Sequence, residues 1–111
     1  KMANTFKLKT KANVGVTTVG IYTAPAATTT VVIGITLSNT SGSGVNVGVA
    51  VSRTSDTKDD VSLLKNAPIP QGSSLEFMGG NKVVLETNDQ INVDSDTNNS
   101  VDAALTIMEI T

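Results

Sequence analysis

The feature that most constrains this chain is alternation with a period of two. In VVIGITLSNTSGSGVNVGVAV, Val31 to Val51, two apolar-alternating runs flank the turn-rich Asn39-Thr40-Ser41-Gly42-Ser43-Gly44. A strand sends successive side chains to opposite faces, so such a run has one face for a core and one for another environment. Val31, Ile33, Ile35 and Leu37 fall on one side, and Val32, Gly34, Thr36 and Ser38 on the other. Beyond the turn, Val45, Val47, Val49 and Val51 share a face. The stretch reads as a hairpin. Its first strand is apolar on both sides at Val32 and Gly34, which predicts a central strand or contact with a second subunit.

The same reading extends along the chain. Phe6, Leu8, Ala12 and Val14 alternate with Lys7, Lys9, Lys11 and Asn13, giving one apolar and one basic face. Thr17 to Tyr22 forms a second run, closed by Ala24-Pro25. Arg53 to Asp60 reads as an exposed loop, Val61 to Leu64 as a short strand, and Lys65 to Gly72 as a rigid connection with two prolines. Ser74 to Met78 and Lys82 to Glu86 flank Gly79-Gly80-Asn81, a tight-turn sequence. Ile91 and Val93 follow the turn Thr87-Asn88-Asp89, and Val101 to Ile107 closes the chain after the polar loop Asp94 to Ser100. This makes about eight short strands at spacings typical of an all-β sandwich, jelly-roll or immunoglobulin-like, mainly antiparallel and without substantial helix. Residues 1–111 read as one domain, with Met2 a native start and Lys1 an added residue.

Composition narrows the chemistry. The 111 residues include no Cys and no His, which removes Ser-His-Asp and Cys-His catalysis, His metal sites and disulfides. The carboxylates Asp56, Asp59, Asp60, Asp89, Asp94 and Asp96 sit in turn sequences, where solvated loop charges are the rule. No enzyme activity and no cofactor are expected. Net charge is −2, which gives no global attraction to nucleic acid or an anionic membrane. No apolar run reaches the ~18 residues of a membrane span, and no signal peptide is visible. Aromatic residues are 3% of the chain, too few for sugar-stacking platforms, and Phe6 and Phe77 fall among apolar positions expected in the core. No small-molecule substrate is expected.

Two features admit a site. Asp94, Asp96, Asn98 and Ser100 place oxygens at alternate positions like the first half of a calcium loop, but Asn99 and Leu105 stand where Gly and Glu are needed. An Asx-type turn accounts for the same residues. Lys7, Lys9 and Lys11 form a one-sided basic stripe, readable as a contact with an acidic partner or as protection of an edge strand. Asn39-Thr40-Ser41 and Asn98-Asn99-Ser100 match the glycosylation sequon, a pattern common by chance.

The segments IYTAPAATTTVVIGITLSNTSG, LLKNAPIPQGSSLEFMGGNKVVLETNDQINVDSD and VDAALTIMEIT resemble small virion proteins of tailed bacteriophages, particularly of marine and cyanobacterial phages. The resemblance spans nearly the whole chain and implies a β-sandwich building block located in the virion. Its partners would be copies of itself and other virion proteins, in capsid decoration or cement, neck or tail. The candidate interface is Lys7, Lys9, Lys11, Val32 and Gly34. The competing function is a module that binds a host-surface glycan or protein through Arg53 to Asp60 and Asp94 to Ser100.

Overall fold

The computed structural model describes residues 3–54, 58–77 and 82–111. They form nine strands and no helix: β1 (Asn4–Val14), β2 (Val19–Thr23), β3 (Thr29–Asn39), β4 (Val45–Ser52), β5 (Val61–Ile69), β6 (Ser74–Phe77), β7 (Val83–Leu85), β8 (Gln90–Ser95) and β9 (Val101–Ile110). Every pairing is antiparallel. Sheet A has the order β1-β9-β3-β6, with β7 also on β3, and sheet B the order β2-β8-β4-β5. The pairs are nested: β1 with β9, β2 with β8, β3 with β6 and β7, β4 with β5. The chain is thus one long hairpin rolled so that β9 also meets β3 and β8 also meets β4. This connectivity is the jelly roll among the two sandwich types that the alternation allows.

The core lies between the sheets. Val32, Ile35, Leu37, Leu85, Leu105 and Ile107 of sheet A face Val47, Val49, Ile69, Ile91 and Val93 of sheet B, all at most 2% exposed. β-branched residues dominate because they pack well on a pleated face.

The stretch Val31 to Val51 is not a hairpin. β3 belongs to sheet A and β4 to sheet B, so Thr40 to Gly44 carries the chain from one layer to the other. Asn39 makes the crossing. Its side chain is buried, and its amide nitrogen donates to the Ser43 and Ile69 carbonyls at 2.8 and 3.0 Å. Its amide oxygen accepts from the Ser41 backbone and hydroxyl at 2.9 and 2.8 Å.

β-Bulges reset which face each residue occupies, because one extra residue flips every side chain after it. In β3 the register shifts between Val32 and Gly34, so Val32 joins Ile35 and Leu37 in the core while Val31, Ile33 and Gly34 lie half-buried on the outer face. Val32 therefore does not belong with Gly34 on an outward surface. In β1 the shift falls between Lys11 and Val14, where Asn13 has φ 59°. Val14 consequently turns into the core, whereas Phe6 is 68% exposed and not a core residue. Phe77 is half-buried against the core.

Two connections also differ from expectation. β5 continues through Lys65 to Ile69, Pro68 included, because it is an edge strand whose unpaired side needs no donor. It carries two extra residues relative to β4, one beside Asn66 at φ 54°. The turn after it is Pro70 to Ser73, closed by a 3.1 Å bond with Gly72 at φ 73°. β6 and β7 pair in line with successive parts of β3 and do not form a hairpin. Gly79-Gly80-Asn81, like Lys1, Met2 and Asp56, lies outside the described residues.

Candidate assembly surface

The outer face of sheet A carries the most distinctive surface of the molecule. Cross-strand partners share a face, and the registers Phe6↔Met108, Val31↔Met108 and Val31↔Val84 line up four apolar residues from four strands. Phe6 and Val84, at its two ends, are 68% and 57% exposed. Leu8, 64% exposed, stands beside the row, paired with Thr106, and Thr106 is paired in turn with Gly34. A built Cβ on Gly34 would meet only the Phe77 carbonyl, at 3.5 Å, so the glycine leaves a shallow, accessible floor. Farther along the same face lies a shallow groove of about 260 Å³ floored by Thr36, Ser38, Asp102 and Ala104.

The lysine stripe lies on the other side of β1. Lys7, Lys9 and Lys11 pair with Ile107, Leu105 and Ala103, all core residues, so the lysines point to the inner side of sheet A at its edge. Lys7 reaches Glu109 at 2.8 Å. That carboxylate also accepts a 2.7 Å bond from the Tyr22 hydroxyl, and Tyr22 is within 2.7 Å of the Thr30 hydroxyl. Lys7 first, then Tyr22, hold the Glu109 carboxyl below its ordinary value. Burial pushes the Tyr22 phenol up to about 12. Alternation marked the stripe but gave no sign of Tyr22 and Glu109, which meet across 87 residues of chain.

In the two loops offered as binding surfaces, several described side chains are tied inward. Arg53 holds Asp89 through Nε at 3.1 Å and Glu86 at 2.6 Å, and Lys58 also pairs with Glu86. Burial raises the Asp89 carboxyl, but the Arg53 bond and the Glu86 backbone N–H outweigh it and the net shift is downward. In Asp94 to Ser100, Asp96 accepts from the Asn46 backbone at 3.1 Å, Asp94 from Thr18 and Asn98 from the Val16 backbone, both at 3.5 Å. The Ser95 and Ser100 hydroxyls bond at 2.7 Å. The segment is an Asx-rich turn, with Asn99 at φ 51°. Among the described residues no three acidic groups gather as a metal site.

No protein-family model and no curated protein matches the sequence. Solved structures do match the fold. A chain of the acid-stable capsid of Helicobacter pylori bacteriophage KHP30 is similar over 100% of this chain and 94% of its own, at TM-score 0.57 and 11% identity. A chain of the IBDV viral particle matches 96% of this chain at TM-score 0.58 and 12% identity, but this chain spans only 30% of it. A chain of the Bacillus endospore appendages, a family of disulfide-linked pili, matches 98% of this chain and 86% of its own, at TM-score 0.53 and 11% identity. At such identities the likeness is one of fold.

Proposed function

We propose that this chain is a non-enzymatic structural protein of a virus particle, assembling with itself and with other virion proteins. The observation that carries the reading is the complete jelly roll, matched end to end by a phage capsid chain of almost the same extent. The apolar row Phe6, Met108, Val31 and Val84 supplies the kind of surface that such assembly buries. Closed symmetry would multiply one modest contact into a stable shell or collar. Within the particle the reading is a tailed phage of the marine or cyanobacterial type, with the protein in head decoration, neck or tail. The absence of His and Cys agrees with a role that needs no catalyst.

The loop-binding alternative has less to stand on. Arg53, Asp89, Asp94 and Asp96 spend their polar groups on the protein's own backbone and side chains. The test is quantitative mass spectrometry of purified particles from the phage that encodes the chain, with antibody labelling in electron micrographs. Recovery at a fixed copy number in intact particles is the expected result. Particles that lack the protein would refute a virion role.

A further inference from the structure

We propose that the free edge of β1 binds an extended segment of a different protein, one whose residues alternate acidic and apolar, as an added strand of sheet A. The proposal rests on the edge itself and holds whether or not the chain is a virion protein.

The four kinds of edge differ. β2 has five residues and a register shift, β5 has two extra residues and Pro68, and β6 and β7 have four and three residues. Short, bulged or proline-bearing edges resist pairing. β1 keeps unbroken register from Asn4 to Lys11 and pairs, among the described residues, on one side only. Among the described residues it is the longest regular row of unpaired backbone groups, the form that accepts an added strand.

Side chains on β1 specify the occupant. Lys7 is engaged by Glu109, while Lys9 and Lys11 form no ion pair among the described residues. An added strand would set its own residues beside them on the inner side, where carboxylates are favoured and cations rejected. On the outer side it would lie against Phe6 and Leu8 and lengthen the apolar row by one strand. A second copy of β1 does not fit. An antiparallel pair centred on Leu8 opposes Lys7 to Lys9, and like charges directly opposite are destabilising. Nor does another edge of this chain fit: β2, β5 and β7 have no acidic residue and β6 has only Glu76. The lysines thus protect the edge against copies and select an unlike partner by the same charges.

The probe is a synthetic peptide of roughly ten residues alternating Glu and Val, long enough to cover the regular part of the edge. It is titrated into the whole chain by isothermal calorimetry and backbone NMR. Binding should shift β1 amides, be absent for a scrambled peptide of the same composition, and weaken about tenfold or more with Lys9→Glu/Lys11→Glu. That variant should instead bind a peptide in which Lys replaces every Glu. Lys9 is half-buried and Lys11 exposed at the sheet edge, so the variant's melting temperature serves as the folding control. N-methylation of alternate peptide residues should abolish binding in one phase and spare it in the other, since only one set of N–H groups faces β1. No binding, equal binding of the scrambled peptide, or indifference to both methylation phases would each overturn the proposal.

Discussion

Tyr22 of sheet B donates its hydroxyl proton to Glu109 of sheet A at 2.7 Å, and this bond closes one end of the sandwich. A phenol has one proton to give, so the Thr30 hydroxyl, 2.7 Å away, donates to the Tyr22 oxygen. Lys7 covers the second oxygen of Glu109. Three strands of sheet A and one of sheet B meet in a fully satisfied polar cluster where an unpaired carboxylate would be costly.

Alkaline pH should open this cluster. The Tyr22 phenol is raised from 10.0 to about 12, chiefly by burial, so its neutral form favours the folded state. That contribution is complete below pH 10 and is lost as pH rises through 12. Tyr22 is the only tyrosine and there is no tryptophan, so tyrosinate absorbance reports on this one group. The titration midpoint is expected near 12 in buffer and near 10 in denaturant. Tyr22→Phe should cost about 1.5–3 kcal/mol in urea unfolding at pH 7 and remove the alkaline loss. A folded-state midpoint at 10 would contradict the buried hydrogen bond.

At the same end of the sandwich, acid should act through Asp89, whose backbone carbonyl accepts a bond from the Ala24 N–H. Its carboxyl is buried, and that burial is outweighed by Arg53 and the Glu86 N–H, leaving the carboxyl below its ordinary 3.8. A depressed carboxyl stabilises the fold above its unfolded value, and the gain disappears as pH falls below it. Asp89→Asn keeps the shape but loses the charge facing Arg53. It should cost about 1–3 kcal/mol at pH 7 and flatten the stability profile below pH 4. Denaturant midpoints at pH 3, 5 and 7 measure this. A variant that retains the parent's acid loss would assign that loss to other carboxylates.

Fold class was legible in the alternation, because most strands obey it: Val45, Val47, Val49 and Val51 are all buried, as are Val101, Ala103, Leu105 and Ile107. Alternation assigns faces only as far as the nearest bulge. Nothing in VVIGIT announces that Ile33 is the extra residue, since an apolar residue suits either face, and the flip moved Val32 inward. In β1 the irregularity coincides with Asn13 at φ 59°, a region that Asn tolerates better than most side chains. Layer membership of β3 and β4 was illegible, because a turn-rich connector serves a hairpin and a crossing between sheets equally well. The lysine stripe was visible as a stripe, but its inward direction follows from pairing with β9.

The bulge in β3 separates two neighbouring substitutions. Val32→Asp would place a carboxylate in the core among Ile107 and Leu85, at a cost of several kcal/mol, and should abolish the cooperative unfolding transition. Gly34→Asp faces outward, where its Cβ makes only ordinary contact with the Phe77 carbonyl at 3.5 Å, and should leave the melting curve nearly unchanged. On the assembly reading, Gly34→Asp lowers the mass measured by light scattering, whereas Val32→Asp aggregates or unfolds. A folded Val32→Asp protein would overturn the register of β3.

Asn39 should be the most sensitive polar residue of the crossing between sheets. Removing its amide leaves the Ile69 carbonyl, within a buried residue, without its donor, and frees the Ser41 to Ser43 segment. Asn39→Ala is expected to lose about 2–4 kcal/mol in urea unfolding, the sum of several hydrogen bonds and one stranded acceptor. Asn39→Asp is nearly isosteric yet replaces a donor by an acceptor facing two carbonyl oxygens. It should cost at least as much at pH 7 and recover partly as acid protonates it, because the protonated carboxyl can donate again. Parallel urea curves for both variants at pH 7 and pH 4 decide the matter. If Asn39→Ala kept the parent's midpoint, the crossing would be held by the Thr40 and Ser73 backbone bonds alone.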